Sequence, residues 1–117
     1  MCLQEFKLFS KILPKECIHQ SWTKKNKEEL SPHICALIQK SNSISKGIAS
    51  LILSEPKIKG RVKIIKNCIK IAIQCNELNN FNGFMEISAG LQLAPIYRLK
   101  KTWEVSNNIK SFKIILY

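Results

Sequence analysis

Apolar residues along this chain recur at intervals of three and four rather than two, the spacing of a helix face and not of a strand. Glu5 to Ile12 reads as a short amphipathic helix with Phe6, Phe9 and Ile12 or Leu13 turned inward. Pro14, suited to a first helical position, opens a second short helix carrying Cys17, Ile18 and Trp22. Thr23 to Leu30 is a charged, exposed connection. Ser31-Pro32 then gives a strong helix start, a capping serine before a first-turn proline. Behind it Ile34, Leu37/Ile38, Ser41, Ile44/Ser45, Ile48 and Leu51/Ile52 hold one face for about five turns. Glu55-Pro56 ends that helix, because the residue before proline is pushed out of the α region.

A second long helix is predicted from about Lys57. Val62, Ile65, Ile69 and Ala72 lie on one line of it, and Ile64, Cys68, Ile71 and Cys75 on the next. So wide a stripe implies partners on two sides. Asn79-Asn80 breaks the helix and caps a third, Phe81 to Leu93, and Pro95 starts a fourth that holds Ile96, Leu99 and Trp103. The expected fold is all-α, an irregular helical bundle with short connections.

Composition adds limits. With 45% hydrophobic residues among 117, the chain has material for a core, which argues against disorder. The longest charge-free stretch, Ile87 to Tyr97, is far short of the roughly 18–20 apolar residues a spanning helix needs. Glu5 and Lys7 interrupt the first apolar run, against a signal peptide; Cys2 stands where myristoylation needs glycine, and Ile114-Ile115-Leu116-Tyr117 is no prenylation box. Five cysteines without CxxC spacing, set in apolar patterns, read as reduced, buried side chains of a cytoplasmic protein. Cys17-Ile18-His19 and His33-Ile34-Cys35 place their metal-type residues two apart, pointing different ways on a helix, so no metal is expected.

Candidate chemistry is sparse. There is no phosphate loop and no nucleophile elbow, Glu28-Glu29 sit on an exposed segment, and the two histidines lack an evident acidic partner. Neither a bond-making reaction nor a cofactor is expected. The net charge is +11, every acid being Glu, and Lys59, Lys63, Lys66 and Lys70 form one basic stripe at spacings of four, three and four. Such a stripe suits an anionic membrane surface, or nucleic acid bound without sequence preference; as an alternative function the chain would be a basic helical module binding either. No zinc-finger spacing, RNA-binding aromatic motif or helix-turn-helix glycine supports a specific nucleic-acid partner. The cluster Asn79, Asn80, Phe81, Asn82 between two helices is a candidate structural motif, since asparagine caps helix ends and fixes the angle between elements.

These pieces, in this order, resemble the catalytic domain of Ras-type guanine-nucleotide exchange factors, the RasGEF family that includes Son of sevenless. The resemblance is carried by Pro14-Lys15-Glu16-Cys17 with Trp22, Ser31-Pro32 with Ile38 and Asn42, Ile52-Leu53, Arg61-Val62, Leu78-Asn79-Asn80-Phe81-Asn82, and Ile96-Tyr97-Arg98-Leu99 leading into Thr102-Trp103-Glu104. It implies a helical domain that grips the switch II segment of a Ras-like small GTPase, while a hairpin further along the family's chain pries switch I from the nucleotide. Carried over, the switch II pocket comprises Ile38, Gln39, Met85, Gln92 and Tyr97. Ile38 and Met85 would supply apolar floor, Tyr97 a ring and a hydroxyl, and Gln39 and Gln92 amide hydrogen bonds. The family further implies a cytoplasmic protein recruited to the inner face of a membrane. Two departures stand out: Gly47 replaces a large aromatic, which would thin the packing of the first long helix, and Gln39 replaces a basic residue found in some members. The chain is expected to be an N-terminal portion of the domain, without the hairpin, and inactive in exchange on its own.

Overall fold

The computed structural model describes residues 2–106, the side chain of Cys2 excepted. The readings of Cys2 as a buried thiol and of Ile114 to Tyr117 as no lipidation signal therefore lie outside the described residues. All regular structure among the described residues is helical: α1 (Cys2–Phe9), a tightly wound segment (Pro14–Thr23), α2 (Lys27–Leu30), α3 (Pro32–Ser54), α4 (Ile58–Glu77), α5 (Phe81–Gln92), α6 (Ala94–Tyr97) and α7 (Lys100–Val105). The fold is all-α, as the periodicity predicts. No helix among them is long and apolar enough to cross a membrane. The chain divides into two units, the first running to Asn42 and the second from Ser43.

In the first unit α1 is turned over relative to expectation. Phe6 and Phe9 are 68% and 66% exposed, Leu13 is exposed, and Glu5 is buried. On eight residues, apolar spacings of three do not decide which side faces in. The segment after Pro14 is not one helix either: Ile18 is extended, and His19 and Gln20 both take left-handed φ near 50°, so the chain kinks and leaves Cys17 and Ile18 exposed. Ser21 and Thr23 fold back locally, donating hydroxyl hydrogen bonds to the carbonyls of Ile18 and Gln20.

The second unit holds the core. Ala49 and Ile52 of α3, Ile65, Cys68, Ala72 and Cys75 of α4, Ile87 and Leu91 of α5, and Ile96 of α6 form one buried cluster, flanked by partly buried Ile48, Ile64, Ile69, Phe84, Leu99 and Trp103. Burying each large aliphatic side chain here contributes about 1.5–3 kcal/mol. The wide stripe of α4 finds its two partners, packing on both α5 and α7. Where α3 crosses α5 the backbones nearly touch: a Cβ at Gly90 would stand 2.9 Å from the Ser45 carbonyl oxygen. Ser45 Oγ donates to the Glu86 carbonyl at 2.9 Å across the same contact. Gly47 behaves differently from expectation. It is exposed, and nothing lies within 4 Å of where its Cβ would be, so the absence of an aromatic there thins no packing in this unit.

The predicted fourth helix is two short ones. Leu99 leaves the helical region at ψ 57°, and the Ile96 carbonyl, which takes the Leu99 N–H at 3.1 Å, also accepts a 2.8 Å hydrogen bond from the Trp103 indole N–H. The indole thereby ties α7 to the end of α6, with Trp103 packed against the core.

Candidate docking surface

The corner between α4 and α5 sets the surface up. The Asn79 N–H donates to the Asn76 carbonyl at 3.0 Å and the Asn80 N–H to the Cys75 carbonyl at 2.8 Å. Asn79 is left-handed at φ 56°, a conformation that asparagine tolerates better than most residues. Asn80 at once begins the next helix: its side-chain oxygen accepts from the Gly83 N–H at 3.0 Å. Asn82 Nδ2 then donates to the buried Glu86 carboxylate at 2.9 Å. Three of the four motif residues thus have structural work. The fourth, Phe81, is 59% exposed.

From Phe81 onward α5 has two unlike sides. Gly83, Glu86, Ile87, Ser88, Gly90 and Leu91 face inward. On the other side Phe81, Met85, Ala89 and Gln92 repeat at helical spacing, all exposed, with Met85 at 61%. This is an apolar row turned to solvent beside a filled core, the kind of feature that can serve as a contact surface. Of the predicted pocket residues, Met85 and Gln92 therefore share one face two turns apart. Tyr97, 69% exposed, stands on α6 just beyond. Ile38 and Gln39 are neighbours on α3 in the first unit, Ile38 at 44% exposure and Gln39 exposed. Core packing, the ordinary role for an isoleucine or methionine, holds neither Ile38 nor Met85.

One buried constellation escapes the sequence reading. Glu16 is 1% exposed, and its carboxylate accepts hydrogen bonds from the N–H groups of Leu13 (3.1 Å), His33 (2.9 Å) and Ile34 (3.3 Å), while His33 Nδ1 lies 2.7 Å from Oε1. His33 therefore has the acidic partner its sequence context does not reveal. The start of α3 is also capped differently from expectation: Glu16, not Ser31, receives its free N–H groups, and the Ser31 hydroxyl donates to the Glu16 carbonyl at 2.8 Å. Burial works to raise the Glu16 pKa, but the His33 side chain and then the Leu13, Ile34 and His33 backbone N–H groups outweigh it and hold it at about 2, from an ordinary 4.5. A carboxylate so strongly stabilised as an anion is a poor general base and a good helix cap. Only the residue pair Glu16 and Ser31 in the resemblance motifs signals it.

Lys59, Lys63 and Lys70 are exposed along α4, and Lys66 is half-buried. Cys35, Cys68 and Cys75 are buried and unbridged, and burial pushes the Cys68 thiol up. No group of three or more metal-type side chains converges among the described residues.

Comparison with known proteins identifies the fold: the RasGEF domain model matches residues 1–115, and this chain belongs to the RasGEF domain family. Among its relatives in Dictyostelium discoideum, Ras guanine nucleotide exchange factor E is 47% identical over 104 residues, covering 89% of this chain and 10% of that protein. Ras guanine nucleotide exchange factor Y is 44% identical over 104 residues, covering 89% of this chain and 7% of the other. For Ras guanine nucleotide exchange factor M the figures are 43% over 105 residues, 89% and 11%. The chain thus spans about a tenth of the length of these curated relatives.

Proposed function

We propose that this chain is part of a guanine-nucleotide exchange domain that binds the switch II segment of a Ras-like small GTPase. Family membership supplies the partner class, and the exposed row on α5 is the observation that carries the assignment of the surface. Met85 and Ile38 offer apolar contact, Tyr97 a ring and a hydroxyl, and Gln39 and Gln92 amide hydrogen bonds to the segment's backbone. Amides already in solvent cost little to bring to a partner, whereas unpaired buried ones cost more.

Exchange requires the nucleotide-free GTPase to be bound more tightly than the loaded one, with about 1.4 kcal/mol of difference for each tenfold acceleration. A contact made equally to both states shifts nothing. In the family that difference is the work of the hairpin, and we place these 117 residues on the switch II side of the division of labour. The lysines Lys59, Lys63, Lys66 and Lys70 we assign to a peripheral contact with anionic lipid, which would keep a cytoplasmic protein at the inner face of a membrane beside its GTPase. No cofactor takes part.

The test is binding of the chain to nucleotide-free and nucleotide-loaded Ras-like GTPases, together with release of a fluorescent guanine nucleotide. Binding to a Ras-like GTPase with little acceleration is expected from the chain alone, and acceleration once a close relative's C-terminal half is joined to it. Absence of any GTPase binding by both proteins would overturn the proposal. Strong acceleration by the chain alone would overturn the division of labour.

A further inference from the structure

Arg61 opens the question. It is half-buried near the start of α4, and its Nε is a buried donor without a hydrogen-bond partner. An unpaired donor on a charged group removed from water is costly. Beside it lies a cavity of about 290 Å³ between the first turn of α4 and the turn joining α6 to α7. Ile58 and Leu99 give it apolar wall, and Arg98, Lys100 and Lys101, all exposed, line it with Arg61 and Thr102. Four cations share this wall and no carboxylate does. The position is held firmly, since α7 packs on α4 and Thr102, at its centre, is 1% exposed.

Like charges gathered around one cavity repel, and a single carboxylate would offset only part of that charge. A dianion with several acceptor oxygens offsets more of it and gives the Arg61 guanidinium, whose Nε has no partner, oxygens to meet as a planar fork. From this juxtaposition we infer that the cavity is a binding site for a phosphate monoester, with Arg61 as the fork and Arg98, Lys100 and Lys101 as the surrounding charge. The site shares no residue with the α5 row or with the proposed GTPase contact, although Arg98 directly follows Tyr97. A phosphoinositide headgroup and a free phosphate share this chemistry.

The experiment titrates the whole chain with inorganic phosphate at constant ionic strength and follows its melting temperature. A saturable upward shift is expected. Lys100→Gln with Lys101→Gln should weaken the apparent affinity about thirtyfold, at about 1 kcal/mol per lysine facing a phosphate-bearing surface. The charge-matched control, Lys24→Gln with Lys25→Gln in the other unit, should keep the shift. Arg61→Gln, which loses both the charge and the fork, should abolish the shift; Arg61→Lys, which retains the charge and loses the fork, should weaken it, and stands in for Arg61→Gln should that variant lose its helical circular dichroism. A second arm compares phosphatidylcholine vesicles doped with phosphatidylinositol 4-phosphate or, at equal charge, with phosphatidylserine. Preference for the phosphoinositide that disappears in the Lys100/Lys101 variant supports the site and names a lipid source. A phosphate shift without that preference supports the site and names a free phosphate. No shift, or an equal shift in both double variants, would overturn the inference, since the latter is general screening of a chain with net charge +11.

Discussion

Oε1 of Glu16 lies 2.7 Å from Nδ1 of His33, seventeen residues further on, and the same carboxylate takes the His33 N–H at 2.9 Å. One side chain thus meets both the backbone and the ring of the residue it holds. Because the Glu16 pKa is about 2 in the folded chain against an ordinary 4.5, the unfolded state binds the proton more readily. The stabilisation is fully present above pH 4.5 and is lost as pH falls from there towards 2. Urea unfolding at a series of pH values should show this decline. Glu16→Gln should be less stable at neutral pH and show a shallower slope across that window. Equal slopes in the two proteins would remove Glu16 as the cause.

The corner after α4 makes separate demands at adjacent positions. Asn80→Ala removes the cap on Gly83 and should cost about 1 kcal/mol. Asn79→Gly should stay within about 0.5 kcal/mol, since glycine accepts the same φ, whereas Asn79→Val should cost about 1–2 kcal/mol. Denaturant midpoints of the three variants rank them directly.

Two helical glycines should respond to the same substitution with opposite sign. Gly90→Ala drives a methyl against the Ser45 carbonyl and should destabilise by about 1–3 kcal/mol. Gly47→Ala meets open space and should stabilise by about 0.5–1 kcal/mol through helix propensity. Thermal melts of both variants decide the matter, and a stabilising Gly90→Ala would contradict the close crossing of α3 and α5.

The long helices are legible in the sequence because each repeats its apolar spacing for several turns and ends at a residue with a local reason to stop, Pro56 or Asn79. The breaks and the cap are less so. Glu16 caps a helix that begins sixteen residues after it, a relationship that periodicity cannot express, and the Ile96 carbonyl near the end of α6 takes an indole N–H from Trp103, seven residues beyond it. For α1, eight residues offer too few turns to tell an inward phenylalanine from an outward one, and Glu5 takes the buried side. Of the candidate surface, the residue types were readable, and their exposure was not. Met85 and Leu91 are alike in sequence terms, and only the crossing of α5 over its neighbours separates them.

Exposure makes the pocket residues separable from the fold. Met85→Ala and Tyr97→Ala should change stability by no more than about 0.5 kcal/mol. Each should weaken binding to a Ras-like GTPase by about tenfold, as expected of anchors at the centre of an interface. Comparing unfolding midpoints with GTPase affinity checks both halves, and a variant that unfolds early would mean the residue belongs to the core.

On α4, Lys63→Gln with Lys70→Gln should leave stability within about 0.5 kcal/mol. Affinity for vesicles containing phosphatidylserine should fall by about 1 kcal/mol per charge removed, measured by co-sedimentation. Unchanged vesicle affinity would end the membrane role of the stripe.

The corner at Asn79 and Asn80 joins α4 to α5 with its turning backbone held on both sides, leaving no slack between them. The row from Phe81 to Gln92 accordingly takes its bearing from the seating of α4, much as a lever takes its angle from its mount. Ile65 and Ala72 of α4 lie in one buried cluster with Ile87 and Leu91 of α5, so a change in that packing would tilt the row. Loss of partner affinity can therefore arise from a change deep in the bundle, in a molecule whose contact residues are all intact.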